Sequence, residues 1–161
     1  MSRFPIHVSD EVPYILFFSK VSNPRYFCFS NFYRATFYLD NFWWSTVEHY
    51  YQAHKSISKI CQDNIRLAKS PHDAKKLGRE IKVRPDWDDV KYDIMNKAVF
   101  AKFDQNHDIR VVLLSTGNLP IHEDSPYDSV WGWRNSGQDL LGKILVSVRE
   151  MLKDKIESRK L

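Results

Sequence analysis

The stretch "TVEHYYQAHKSI" at residues 46–57 is where the sequence changes from a strand-like to a helical pattern. Val47, Tyr50, Tyr51 and His54 recur there at i, i+3, i+4 and i+7, which is one face of an α-helix. The residues before this stretch favour strands, and most segments after it repeat the helical spacing. The sequence therefore predicts a helix-dominated fold in which the helical pattern begins near Ser45.

Helical patterns continue towards the C-terminus. Ser70 and Pro71 form a standard helix start, with a capping serine followed by proline at the first helical position. The predicted helices after the first are 63–70, 70–80, 88–103, 108–115 and 139–153. Residues 116–138 are predicted to form a loop, and a loop of this length in a compact domain is usually functional.

The strand signals lie in the first 44 residues. "VPYILFF" at 12–18 is a short apolar run, and "RATFYLDNFWW" at 34–44 has two aromatic-rich halves around Asp40 and Asn41. Aspartate and asparagine tolerate the left-handed backbone of a two-residue turn, so this segment predicts a hairpin. The expected fold is α+β, helix-dominated, with a small N-terminal β component. Residues 1–161 are expected to form a single domain with a core from about 12 to 152.

The composition is that of a folded soluble chain. It is 43% hydrophobic and 27% charged, with a net charge of +4. Cys28 and Cys61 have no zinc-like spacing, and "YILFF" at 14–18 is too short to span a bilayer. Without an apolar signal segment at the N-terminus, we expect a cytoplasmic protein with no membrane partner. The aromatic share of 14% is high, which indicates a pocket or a stacking surface.

The stretch 45–54 has three interpretations: Glu48 is half of a helix cap, His49 and His54 are metal ligands, or Glu48 is a catalytic carboxylate. Ser45 and Glu48 match a capping box, in which the two side chains satisfy helix-end amides. His49 and His54 are five residues apart, about 140° around a helix, so they point to different faces. The sequence offers no third ligand cluster, so we expect no metal.

The third interpretation is catalytic. In the first turn of a helix the macrodipole stabilises an ionised carboxylate, which suits the oxocarbenium-like transition state of glycoside chemistry. Asp128 in the long loop is the candidate second carboxylate, and the rings of Phe32, Trp87 and Trp131 could enclose a flat base. Periodicity leaves the cap and the catalyst equally favoured, and the two roles are compatible.

A series of motifs in the same order resembles the YbiA-like, or NADAR, family. "FSNF" at 29–32 and "WSTVEHYYQAHK" at 44–55 are similar to the family's signature. The resemblance continues from about residue 26 to 152, through the motifs "SPHDAKKLGRE", "RPDW", "AKFDQN", "LLSTG", "DSVWGW" and "LLGKILVSVRE".

This resemblance implies a helix-rich N-glycosidase that needs no metal or organic cofactor. The implied substrates carry a phosphorylated ribose: riboflavin-pathway phosphoribosylamino-pyrimidines, or ADP-ribose on guanine of DNA or RNA. A non-catalytic module that binds ADP-ribose or a nucleotide is the alternative. Glu48 matches the family glutamate expected to act at the anomeric carbon, with Asp128 assisting. The implied substrate-binding residues are Asn31, Phe32, Trp87, Trp131, Gly132 and Gly142.

Three residues depart from the family pattern. Trp133 and Arg134 replace small residues, and Asp139 stands where asparagine is usual. An added carboxylate near a phosphate would repel it, and Arg134 and Lys143 are candidates to offset that charge. These departures therefore affect the prediction of which substrate is bound more than the prediction of the reaction type.

Overall fold

A computed structural model describes residues 7–8 and 13–161, and it is α+β and dominated by helices, as expected. Contacts divide the chain into two compact units. One unit is Asn31–Asn106. The other combines the residues up to Ser30 with His107–Leu161. The organisation of residues 1–161 as a single domain stays a prediction.

The predicted hairpin is present in the unit Asn31–Asn106. Strands β3 (Phe37–Leu39) and β4 (Phe42–Trp44) pair antiparallel. Asp40 and Asn41 connect them with φ values of 52° and 68°. Two consecutive left-handed residues form the turn whose twist matches that of the paired strands. The hairpin prediction is confirmed at its turn.

Four helices complete this unit: α1 (Val47–Ala53), α2 (Lys59–Arg66), α3 (Pro71–Glu80) and α4 (Trp87–Gln105). Every residue of α1 is buried, because the helix packs against the other three. The predicted start of α3 at Ser70 and Pro71 is confirmed, since the Ser70 side chain accepts from the amide of Asp73. The first helix of the sequence is therefore the centre of its unit.

Four helix boundaries differ from the predictions by four or more residues. Two of them are the end of α2, at Arg66 instead of 70, and the end of the C-terminal helix, at Ser158 instead of 153. Helix α1 ends at Ala53 instead of continuing through the stretch 46–57, and the carbonyl oxygen of Lys55 accepts from the amide of Arg84 instead of continuing the helix. Helix α2 begins at Lys59, four residues before the predicted 63–70. Its amphipathic pattern is interrupted by exposed Ile60, which hid the true start.

The other unit contains a three-stranded sheet. Strand β1 (His7–Val8) pairs antiparallel with β2 (Pro13–Phe17), which pairs parallel with β5 (Ile121–Glu123). Two 3₁₀ helices (Pro24–Phe29 and Arg134–Ser136) and the helices α5 (His107–Ser115) and α6 (Leu140–Ser158) also belong to the unit, and α6 packs on β5.

The prediction that residues 116–138 form a loop is wrong in part. Strand β5 lies inside that segment. Three residues are too few to show an alternating pattern, and the partner of β5 lies about a hundred residues earlier in the chain. Among residues 7–8 and 13–161, no helix has the length and apolar character needed to cross a membrane.

Candidate active site

Glu48 lies in the first turn of α1, but it is not part of a capping box with Ser45. The cap is Thr46, whose extended backbone allows its hydroxyl to accept from the amide of His49 at 3.2 Å. The amide of Glu48 donates to the carbonyl oxygen of Asn31 at 3.1 Å. The capping-box prediction is therefore wrong by one residue, and His49, not Glu48, occupies the third position after the cap.

The carboxylate of Glu48 is buried and held by a neighbour on the same helix face. Glu48 is 6% exposed and Gln52 is 3% exposed. The side-chain amide of Gln52 donates to Oε1 of Glu48 at 2.7 Å. A buried carboxylate is costly unless hydrogen bonds compensate it, and a donor at i+4 fixes its orientation. The site therefore presents an oriented acid in a desolvated setting.

Lys55 interacts with this carboxylate, and two further cations, Lys75 and Arg79, lie near Lys55. Burial is the main cause that lowers the pKa of Lys55, with the positive charges of Lys75 and Arg79 lowering it further and Glu48 raising it. The ammonium group of Lys55 lies 5.6 Å from the ring centre of Tyr51. One buried carboxylate and three cations leave an excess of positive charge, which suits an anion such as phosphate.

Aromatic rings border the same region. The ring of Phe32 meets that of His72 edge-on at 4.8 Å, and the ammonium of Lys75 lies 5.7 Å from the Phe32 ring centre. Trp87, at the start of α4, packs on Tyr51 with ring centres 5.0 Å apart. Phe32 and Trp87 thus share the unit of Glu48, with Phe32 beside Lys75 of α3 and Trp87 on Tyr51 of α1.

Asn31 has a buried acceptor without a partner. Its amide nitrogen lies 3.5 Å from the sulfur of Met95, and its Oδ1 has no hydrogen-bond partner among the described residues. Buried polar atoms are nearly always paired, so an orphaned acceptor beside a buried acid needs an explanation. A donor from a ligand would satisfy it.

Gln52, Lys55 and Lys75 were not among the residues predicted for this region. Gln52 follows Glu48 at i+4 on α1, so the helical spacing itself was a signal for one shared face, whereas Lys55 lies beyond the end of the helix. Lys75 and Arg79 lie on α3, and their sequence positions gave no sign of their proximity to Lys55.

The remaining predicted residues belong to the other unit, where they organise the loop before α6. The Oδ1 of Asp128 accepts from the amides of Val130 and Trp131, both at 2.9 Å. A Cβ on Gly132 would lie 2.4 Å from the carbonyl oxygen of Asp128. Trp131 is buried. These contacts explain why the loop needs these residues, and their part in a site stays a prediction.

Gly142 has a packing role that the structure makes explicit. A Cβ at this position would lie 2.1 Å from the carbonyl oxygen of Ile121. The glycine therefore lets the first turn of α6 approach β5 closely. Its role in binding a substrate stays a prediction as well.

The three departures from the family pattern pair with residues of their own unit. Asp139 Oδ2 lies 2.6 Å from Nδ1 of His122, and the ring of His122 stacks on Trp133 at 5.0 Å. Arg134 makes a bidentate pair with Asp124 at 2.5 and 2.9 Å. Arg134 therefore pairs with the charge of Asp124. The expectation that Arg134 offsets the added carboxylate of Asp139 is wrong.

The two histidines of the opening stretch have structural partners. Nε2 of His49 donates to the carbonyl oxygen of Ala68 at 3.1 Å, so Nδ1 accepts from the hydroxyl of Thr46 at 2.8 Å. His54 donates from Nδ1 to the carbonyl oxygen of Tyr50. Within residues 7–8 and 13–161, no three His, Cys, Asp or Glu side chains are grouped to hold a metal ion.

The buried His49 predicts a loss of stability in acid. Burial lowers its pKa from the usual 6.5, so the unfolded chain binds the proton more readily than the folded protein. The free energy of unfolding should therefore fall as pH drops below about 6.5. Urea unfolding from pH 7.5 to 5.0 checks this, with His49→Gln as comparison. The variant should show a shallower pH dependence, and an equal slope in both proteins would contradict the assignment.

Residues 17–153 match the family model described as the NADAR domain. The match spans well over half of the chain and includes both Glu48 and Asp128. The chain belongs to the NADAR family, as its motifs predicted.

Relatives with similar sequences carry enzyme names. An N-glycosidase of Nostoc punctiforme is 44% identical over 146 residues, which is 86% of this chain and 93% of that protein. N-glycosidase YbiA of Escherichia coli is 36% identical over 128 residues, or 77% and 80% of the two chains. The chloroplastic riboflavin biosynthesis protein PYRR of Zea mays is 39% identical over 124 residues, covering 68% of this chain and 20% of that protein.

The fold also has a solved counterpart. The NMR structure of the E. coli protein YbiA is similar with a TM-score of 0.80 and 34% identity, and the match covers 93% of this chain and 90% of that chain. The likeness in both sequence and fold supports the helix-rich α+β assignment.

Proposed function

We propose that this chain is an N-glycosidase that hydrolyses the C1′–N bond of a phosphorylated ribose. The observation that carries the proposal is the buried carboxylate of Glu48, held by Gln52 at 2.7 Å beside Lys55. The names of the relatives, N-glycosidases and riboflavin biosynthesis proteins, support this reaction class.

The chemistry requires stabilisation of positive charge at the sugar. As the C1′–N bond breaks, C1′ becomes oxocarbenium-like, and an ionised carboxylate nearby stabilises that charge. The oxygen of a water molecule then bonds to C1′, and a proton of that water is transferred to the nitrogen of the leaving group. Glu48 would stabilise the cation or orient the water. Asp128 is proposed as the assisting carboxylate, acting through Oδ2 since its Oδ1 accepts two amides.

The surrounding residues would hold the parts of the substrate. Lys55, Lys75 and Arg79 supply the charge for a phosphate, and the orphaned Oδ1 of Asn31 would accept from a ribose hydroxyl. Phe32 and Trp87 offer ring faces for the base. In the other unit, the residues proposed to bind substrate are Trp131, Gly132 and Gly142. The reaction as proposed needs no metal and no organic cofactor.

Two substrates separate the finer possibilities. Purified protein is incubated, with and without EDTA, with guanine-ADP-ribosylated DNA or RNA and with a riboflavin-pathway phosphoribosylamino-pyrimidine. Release of ADP-ribose or ribose phosphate identifies the substrate, and unchanged turnover in EDTA supports metal independence. Tight ADP-ribose binding with no product from either substrate would overturn the enzyme and support a non-catalytic binding module.

Removing two of the cations should weaken substrate binding without slowing chemistry. The double variant Lys75→Gln/Arg79→Gln retains Lys55, which also interacts with Glu48. Charge-assisted hydrogen bonds contribute about 1.5–3 kcal/mol each, and solvent screening reduces the share of the exposed Arg79. KM should therefore rise at least roughly tenfold while kcat stays within about twofold. Initial-rate kinetics over a substrate series measure both values.

Lys76→Gln is the matched control, because Lys76 is an exposed lysine on the same helix. Its KM should equal that of the wild type. An unchanged KM in the double variant, or an equal rise in the control, would show that Lys75 and Arg79 do not bind the phosphate.

A further inference from the structure

Gly78 is a buried glycine inside α3 (Pro71–Glu80). Glycine is the poorest helix former apart from proline, because it loses the most backbone freedom on folding. Its backbone is helical, and the glycine with a positive φ among the described residues is Gly117. The backbone conformation therefore does not explain why position 78 is a glycine.

The neighbours of Gly78 show what the missing side chain makes room for. A Cβ at this position would lie 2.0 Å from Oε1, 2.8 Å from Cδ and 3.1 Å from Cβ of Gln52. The three nearest atoms all belong to this one side chain. The carboxamide of Gln52 thus occupies the space that any other residue at 78 would fill.

That carboxamide is also the donor that fixes Glu48. Nε2 of Gln52 donates to Glu48 Oε1 at 2.7 Å, while Oε1 of Gln52 is buried against Gly78 and has no hydrogen-bond partner among the described residues. Turning the amide over would place its oxygen against the carboxylate. Both side chains are almost fully buried, so the amide and the carboxylate meet in the interior of the unit.

We infer that Gly78 is a positioning residue for the reaction proposed above, and this inference rests on that proposed function. Because Gly78 has no side chain, the Gln52 amide has room to lie beside it, and in that position the amide keeps Glu48 oriented. A methyl group at 78 displaces the amide and removes the donor from Glu48. Misplacement of a catalytic group by about 1 Å can cost roughly a hundredfold in rate.

The kinetic test uses Gly78→Ala, Gln52→Ala and their double variant. Gly78→Ala should lower kcat about tenfold to a hundredfold with KM nearly unchanged. Gln52→Ala should lower it similarly. The double variant should be no slower than Gln52→Ala, because the displaced carboxamide is then absent. Lys76→Ala, an exposed change in the same helix, is the control and should match the wild type.

A second measurement does not depend on activity. The side-chain amide of Gln52 gives an NMR signal that Gln52→Ala identifies by its disappearance. In Gly78→Ala this signal should move towards the position of an amide without a carboxylate partner. Wild-type kcat in Gly78→Ala together with an unmoved signal would overturn the inference, as would additive losses in the double variant.

Failure of the proposed function is distinguishable from failure of the inference. If the wild type hydrolyses no N-glycoside, the proposed function is wrong, and the NMR signal alone decides the contact. A moved signal in Gly78→Ala then supports the role of Gly78 in holding Gln52 against Glu48. An unmoved signal overturns that role.

Discussion

Glu48→Gln is expected to lower kcat for N-glycoside hydrolysis by at least about a thousandfold, with KM changed only a few-fold. Removing one preorganised electrostatic group typically costs about a hundredfold to a thousandfold, and general acid–base roles add a similar amount. Glutamine retains the volume of the side chain and offers an oxygen that can still accept from Gln52. The substitution therefore removes the charge and leaves the packing of α1.

Single-turnover assays on the substrate identified for the wild type measure this loss. Glu80→Gln, an exposed glutamate on α3, is the matched control and should retain full activity. Binding of ribose 5-phosphate to Glu48→Gln should persist, which shows that the site is still formed. Full activity in Glu48→Gln would remove Glu48 from the mechanism, whatever other residues contribute.

The parts of the fold that were predictable have local signals. The turn at Asp40 and Asn41 and the start of α3 at Ser70 and Pro71 are determined by the conformational preferences of those few residues. Strand β5 was missed because a three-residue strand is stabilised by its partner β2 rather than by its own pattern. Pairing over a large sequence separation is not encoded in any local window.

The candidate site divides in the same way. Glu48, Asn31 and Phe32 lie in motifs, so the family resemblance identified them. Gln52 could have been found from its position one turn after Glu48 on α1. Gly78 could not, because its importance comes from the packing of α3 against α1 and from an atom that the residue lacks. The helix cap shows how far local preference reaches, since serine is the somewhat better capping residue and yet Thr46, not Ser45, caps α1.

Arg149→Ala should produce a large loss of stability in the unit that contains α6. Arg149 is 2% exposed, and its Nη1 donates to Thr116 Oγ1 at 2.9 Å and to the carbonyl oxygen of Leu119 at 2.7 Å. These bonds tie α6 to the segment that precedes β5. Truncation leaves two acceptors without their donor and opens a cavity, so the free energy of unfolding should fall by about 3 kcal/mol or more.

Lys153→Ala separates this effect from a general loss of charge on α6. Lys153 lies one turn later and donates to the carbonyl oxygen of Gly117 at 2.9 Å, but its side chain is 29% exposed. Water can replace its bonds, so its loss should cost less than about 1 kcal/mol. Thermal unfolding compares the variants, because a loss of about 3 kcal/mol lowers Tm by roughly 6–12 °C in a chain of this size. Equal shifts in both variants would contradict the prediction that the buried hydrogen bonds of Arg149 stabilise the unit more than the exposed bonds of Lys153.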